Sequence, residues 1–261
     1  MNIVVCLKQV PGTTEVKIDP VKNTLIRQGI KAIVNPFDSY ALEEGVHLRE
    51  RYSGKVTAIS MGPPQAIEML RDAISSGADE AILLSDAAFA GSDTLATSST
   101  LGKTIEKIHN YDLIICGRQT LDGDTGQVGP ELAEALHIPF IAYVSKVEEI
   151  ANGKIRVQRM VEDGYETIEA SLPAVITVVK EINIPRLPSL RGLAKAKSAQ
   201  IPTWTAQDIG ADKESIGQAG SATWVVKVFY PQRVQQAEML KGDAEAQVNA
   251  LVEKLREGKL I

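Results

Sequence analysis

A chain of 261 residues, 44% hydrophobic and 23% charged, has room for one large α/β domain with an appendage and needs no disulfide or metal staple. A net charge of −5 and only 5% aromatics argue against a nucleic-acid surface or a base-stacking platform. No apolar stretch approaches the ~18 residues of a membrane span, and the opening Met1-Asn2-Ile3-Val4-Val5-Cys6 lacks the basic and long apolar regions of a secretion signal. The expectation is a cytoplasmic protein with neither nucleic-acid nor membrane partners.

Short apolar runs mark the first two-thirds: Ile3–Leu7, Val56–Met61, Ala81–Leu84, Leu113–Cys116, Phe140–Val144 and Ala174–Val179. Most are continuous rather than alternating, as in strands buried on both faces of a parallel sheet. Helical patterns separate them. Asn35-Pro36-Phe37-Asp38 opens the first, with Asn35 at the N-cap, Pro36 at the first helical position and Asp38 at the positive helix end. Gln65–Ser76 is the second and stops at Gly77. Asp93–Ile108 is the third, with Leu95, Leu101, Ile105 and Ile108 inward, and Gln127–Leu136 is the fourth. Strand alternating with helix predicts a doubly wound, mostly parallel, Rossmann-like sheet with right-handed crossovers. After Val144 the runs Val147–Ile150, Lys154–Val161 and Glu166–Ala170, with turns at Asn152-Gly153 and Asp163-Gly164, predict antiparallel hairpins. From Ile184 the chain is punctuated by Pro185, Pro188 and Pro202. It ends in an amphipathic stretch, Asp243–Glu257, which suits either a partner or its own domain.

The chemistry points to Gly117-Arg118-Gln119-Thr120-Leu121-Asp122-Gly123-Asp124-Thr125-Gly126-Gln127-Val128-Gly129-Pro130. This stretch leaves a buried strand and enters a helix, at the carboxyl edge where open parallel sheets hold ligands. Gly123, Gly126 and Gly129 allow sharp turns and close approach to a phosphate, Thr125 and Gln127 add side-chain hydrogen bonds, and the helix start offers free N–H groups. Asp122 and Asp124 suit ribose hydroxyls, Asx-turns or Mg²⁺. An ordered surface loop without ligand is the competing reading.

Other signals fail. Gly102-Lys103-Thr104 ends like a P-loop, but Thr97 stands where a glycine is required. Gly91-Ser92-Asp93-Thr94 reads as a helix cap. His47, His109 and His137 are far apart, and Cys6 and Cys116 form no C-x-x-C pair, so neither acid–base machinery nor a metal site is read from them. Both cysteines are expected to be buried, reduced thiols.

The run Val179-Lys180-Glu181-Ile182-Asn183-Ile184-Pro185-Arg186-Leu187-Pro188-Ser189-Leu190-Arg191-Gly192-Leu193-Ala194-Lys195-Ala196-Lys197 resembles the signature of electron-transfer flavoprotein beta subunits. Lys8 after the first strand, Val34-Asn35-Pro36-Phe37, Met61-Gly62-Pro63 and the Gly117 loop follow in that family's order. The resemblance implies a heterodimer with a flavin-bearing alpha subunit, which carries its own FAD, and an adenine nucleotide held by this chain. Carried over position by position, the nucleotide contacts are Cys6, Asn35, Pro36, Phe37, Asp38, Met61 and the loop Gly117, Arg118, Gln119, Thr120, Leu121, Asp122, Gly123, Asp124, Thr125, Gly126, Gln127 and Val128. It also implies three regions: a nucleotide-binding domain over 1–183, a partner-recognition loop over 184–200 and a C-terminal extension over 201–261 that packs on the alpha subunit. Leu190 becomes the apolar anchor that docks on an acyl-CoA or other flavin dehydrogenase.

Members with AMP as a structural ligand usually read Asp-Asp-Asp-x-Asn-Gln-Thr-Gly in the loop. This chain reads Asp122-Gly123-Asp124-Thr125-Gly126-Gln127-Val128-Gly129. The opened positions resemble the members that hold a complete FAD and bifurcate electrons from NADH, one to a dehydrogenase and one to ferredoxin or flavodoxin. FAD at this site is therefore the expectation. The weighed alternatives are a conventional subunit with AMP, a stand-alone ATP-binding regulatory domain and a purely structural assembly subunit. The neighbourhood of Lys8, Gln9, Val10 and Pro11, which leaves the first strand towards the same sheet edge, is a further guess for residues that tune the flavin's potential.

Overall fold

The computed structural model describes residues 1–12, 17–18, 25–26, 32–226 and 237–261. Two compact units divide the chain, Met1–Val226 and Lys227–Ile261. In the first unit the elements run β1 (Asn2–Cys6), β2 (Gln9–Pro11), β3 (Lys17–Ile18), β4 (Leu25–Ile26), β5 (Ala32–Val34), α1 (Pro36–Tyr52), β6 (Lys55–Met61), α2 (Ile67–Ser75), β7 (Glu80–Leu84), α3 (Thr94–Ile108), β8 (Leu113–Gly117) and α4 (Val128–Ala135). They continue with β9 (Phe140–Ala151), β10 (Lys154–Val161), β11 (Gly164–Ser171), β12 (Ala174–Val178), α5 (Leu190–Ser198) and β13 (Thr203–Trp204). The second unit contains α6 (Ala244–Glu257).

The central sheet has nine strands in the order β11-β10-β9-β12-β8-β1-β6-β7-β13. All neighbours from β9 through β13 pair in parallel, and only β10 and β11 extend the sheet antiparallel. The apolar runs are continuous because alternate residues feed different cores. Ile3 and Val5 join α1 and α2 on one face, whereas Val4 and Cys6 join α3 and α4 on the other. The chain moves from β1 outward to β6 and β7, then returns to lay β8 on the other side of β1. The connections leaving β1 and β8 therefore diverge, and a crevice opens between them.

Several readings need correction. Phe140–Val144 and Val147–Ile150 are one strand, β9, which pairs with β12 along its first part and with β10 along its second. Leu95 is 49% exposed rather than inward. Asn35 sits at the N-cap position of α1 but makes no capping hydrogen bond. The segment read as a recognition loop is helical from Leu190, with the Ser189 hydroxyl accepting the Gly192 N–H at 2.9 Å. Residues after 201 also contribute to this unit: β13 pairs with β7, Lys107 lies 4.2 Å over the Trp204 ring, and Ile209 and Ile216 are buried with α3. In the second unit Asp243 caps α6, and no residue of that helix is buried.

Candidate functional site

A cleft of about 1080 Å³ lies across the carboxyl ends of β8, β1, β6 and β7. That is at the upper end of the roughly 300–1,000 Å³ typical of small-molecule sites. Of the sequence-predicted residues it brings together Cys6, Asp38, Met61, Gly117, Arg118, Gln119, Thr120, Asp122, Gly123, Thr125, Gly126, Gln127 and Val128. Asn35, Pro36, Phe37, Leu121 and Asp124 do not line it. Lys8, Gln9, Val10 and Pro11, at the exit of β1, also line it. Pro63, Gln65 and the stretch Ser85–Thr94 complete the walls and were not foreseen. They follow β6 and β7, so the strand-end rule that selected the Gly117 loop would have found them.

Asn35 is fully buried and organises the site from behind. Its Nδ2 donates to the Gln119 carbonyl at 2.8 Å and to Asp38 Oδ1 at 2.9 Å, and its Oδ1 accepts the Leu121 N–H at 3.2 Å. The start of α1 is thus riveted to the loop after β8. Asp38 Oδ2 accepts the Lys8 N–H at 2.7 Å, which ties the exit of β1 to the same point. Burial pushes the Asp38 carboxyl up to about 7, against the hydrogen bonds from Asn35, Lys8 and Gly117.

Gly117 is dictated by this junction. A Cβ there would stand 2.4 Å from Asp38 Oδ1 and 2.7 Å from the Phe37 carbonyl carbon. Beyond it the loop is exposed from Leu121 to Gln127. Asp124 and Gly126 take positive φ values of 52° and 64°. The Lys8 ammonium bonds Asp122 Oδ1 at 2.7 Å across the mouth. Partial burial works to raise the Asp122 carboxyl, but the Lys8 hydrogen bond and charge outweigh it and hold it below its ordinary value. Asp124 is bonded by the Gln119 amide, so it serves loop geometry. Arg118 lies 5.5 Å over the Tyr143 ring, where β9 is bulged.

Gly129 lines the cleft at the start of α4 and is also buried against the sheet, where a Cβ would come within 2.5 Å of Thr177 Cγ2 on β12, so helix–sheet packing requires glycine there as well. Gly123 has space around it, with only Thr120 Oγ1 at 3.5 Å from a Cβ. Gln127 makes no side-chain cap at α4, and the first two residues of that helix, Val128 and Gly129, line the cleft. Cys6 and Cys116 are free, buried register neighbours on β1 and β8, as expected of reduced thiols. Their mutual hydrogen bond and burial raise the Cys6 thiol.

The fold and cleft define a class: an α/β protein with a ligand crevice at its topological switch point, among whose described residues no helix is long and apolar enough to cross a membrane. The chain belongs to the electron-transfer flavoprotein family, whose domain model, "Electron transfer flavoprotein domain", matches residues 22–209, and its relatives are beta subunits. It is 50% identical to the electron transfer flavoprotein subunit beta of Thermoanaerobacterium thermosaccharolyticum, with both chains covered in full. It is 46% identical, again over the whole of both chains, to the caffeyl-CoA reductase-Etf complex subunit CarD of Acetobacterium woodii. It is 45% identical to Protein FixA of Azotobacter vinelandii, over 92% of this chain and 88% of that one.

Proposed function

We propose that this beta subunit holds FAD in the switch-point cleft and works as the NADH-facing half of an electron-bifurcating flavoprotein in the cytoplasm. The observation that carries the reading is the cleft's reach: about 1080 Å³ continuous from the Gly117 loop across β1 and β6 to β7, more extended than a mononucleotide requires. Support also comes from Gly123 and Gly126, which leave the loop's outer turn without bulk where AMP-holding relatives carry Asp and Asn. The reductase–Etf complex named for the CarD relative is consistent with an assembly of this kind.

The residues have separable tasks. The N–H groups of Val128 and Gly129 at the start of α4 and the backbone at Gly126 would receive the pyrophosphate, with the helix dipole favouring its charge. Lys8 and Asp122, paired across the mouth, would border the bound nucleotide. Arg118, held over Tyr143, adds a cation at the rim. Asn35, behind the cleft wall, fixes the loop, and Asp38, which lines the cleft, ties the exit of β1 to the same point. FAD, when bound, supplies the redox chemistry: hydride uptake from NADH, one electron to a dehydrogenase through the alpha-subunit FAD, and one to ferredoxin or flavodoxin. Residues 184–190 would meet the dehydrogenase, since Ile184, Leu187 and Leu190 are 88%, 89% and 88% exposed. The uncovered face of α6 suits the alpha subunit.

Extraction of cofactors from the native heterodimer tests the reading. Two FAD per dimer are expected; one FAD with one AMP rejects bifurcation and leaves the conventional carrier.

A further inference from the structure

The segment 183–189 has no regular structure and runs into α5 at Leu190; Ile184, Leu187 and Leu190 are nearly fully exposed, yet the segment is fastened by several hydrogen bonds. Asn183 Nδ2 donates to the Tyr40 carbonyl at 3.0 Å and to Glu44 Oε2 at 3.2 Å. The Arg186 backbone N–H donates to Glu43 Oε2 at 3.0 Å, and its Nε reaches the same carboxylate at 3.0 Å. Its Nη1 and Nη2 take Glu50 in a two-pronged grip at 2.7 and 3.0 Å. Glu43 is 4% exposed, so one carboxylate of the pair is shielded from water and from salt. Downstream, Arg71 Nη1 donates to the Ala196 carbonyl at 2.7 Å and Lys195 Nζ to the Ala78 carbonyl at 3.0 Å, fastening α5 to α2 and the turn after it.

We propose that Arg186 is a positioning residue for dehydrogenase docking: gripped by Glu43 and Glu50 of α1, it sets Ile184, Leu187 and Leu190 as a preformed apolar edge. This rests on the docking reading above. An irregular segment with two exposed aliphatics leading into a third at the helix start would otherwise fold its apolar groups onto the nearest surface, or sample many states and lose affinity on ordering. A planar, five-donor guanidinium suits the task because it fixes both the backbone and the angle of the segment against two carboxylates at once. The exposed flank of the edge is cationic, with Arg191 and Lys197 on α5 and no acid in that helix. The occupant it fits is a flavin dehydrogenase whose apolar pocket is rimmed by carboxylates.

The test uses the native heterodimer with an acyl-CoA dehydrogenase as electron partner. Four variants are compared: Arg186→Ala, Arg186→Lys, Glu50→Gln and Leu190→Ala. Backbone hydrogen exchange at 184–189 and the KM for the dehydrogenase are both measured, with heterodimer yield and nucleotide content as controls. Arg186→Ala should speed exchange in that segment and raise KM about tenfold, the equivalent of one mispositioned anchor, with a much smaller change in kcat. Arg186→Lys, which keeps the charge but not the fork, should fall between, and Glu50→Gln should repeat the pattern more weakly if Arg186→Ala fails to assemble. Faster exchange with an unchanged KM, while Leu190→Ala still raises KM, overturns the positioning role and leaves docking intact. An unchanged KM in Leu190→Ala removes the docking reading and the proposal together.

Discussion

Asn35 Oδ1 accepts the Leu121 N–H at 3.2 Å, a contact between residues 86 positions apart that anchors the loop after β8 to the start of α1. Asn35 is fully buried and its amide is satisfied at both ends. Asn35→Ala leaves the Leu121 N–H and the Gln119 carbonyl without partners and removes a donor from Asp38. A stability loss of about 1–3 kcal/mol is expected from the orphaned groups. Urea unfolding measures it, and nucleotide content after gel filtration should fall in parallel. Full retention of nucleotide at wild-type stability would show that the rivet does not organise the loop.

Asp38 makes a pH prediction. Its carboxyl titrates near 7 in the folded protein against 3.8 as the ordinary value, so the folded chain holds a proton that the unfolded chain has released. Unfolding free energy therefore falls as pH rises between those two values, by up to about 1.4 kcal/mol per pH unit, and the decline ends above 7. Asp38→Asn carries no titrating group and should lose that component of the slope, whatever its baseline stability. Urea midpoints of both proteins at pH 5, 6, 7 and 8 give the comparison. Parallel pH profiles would place the Asp38 titration outside this window.

Two glycines of the site differ in what they tolerate. Gly117→Ala drives a Cβ to 2.4 Å from Asp38 Oδ1 and against the α1 backbone, where nothing flexible can give. Gly123→Ala meets only Thr120 Oγ1 at an ordinary 3.5 Å. The first should cost about 1–3 kcal/mol by overpacking and disturb the Asn35–Asp38 junction, whereas the second should be close to neutral. Thermal melts of the two single variants decide; equal melting temperatures would contradict the assignment of Gly117 to the junction.

Much of this was legible before any coordinates. Strands buried on both faces announce themselves as unbroken apolar runs, which located β1, β6, β7, β8 and β12, and the strand-end rule then located the cleft. What escaped depends on partners distant in sequence. Asn35 has the identity and place of a helix cap, and only the nearness of Gln119 and Leu121 makes it a rivet instead. Gly129 looks the same in sequence as Gly126, yet one packs on Thr177 and the other turns the backbone. The strand β13 has two residues, too few for any periodicity, and exists because β7 offers it an edge. Helix α5 was masked by Pro185 and Pro188, although Ser189 with helix-forming residues behind it is a start signal.

The proposed preference for FAD over AMP can be tested by installing the side chains of the loop form that the family resemblance associates with AMP. In the loop form that the family resemblance associates with AMP, Asp, Asn and Thr stand where this chain has Gly123, Gly126 and Val128. The structure accepts all three exchanges: Gly123 has open space, and Gly126 at φ 64° is in the region that Asn tolerates best among side chains. Val128 is half-buried at the first position of α4, where the slightly smaller Thr fits. Loss of FAD in the triple variant would therefore reflect lost room beside the pyrophosphate and not a collapsed fold. The expected outcome is a heterodimer with one FAD fewer per dimer, AMP in its place and no NADH-dependent reduction of ferredoxin. Unchanged flavin stoichiometry in a properly assembled variant would mean that these three positions do not select the ligand.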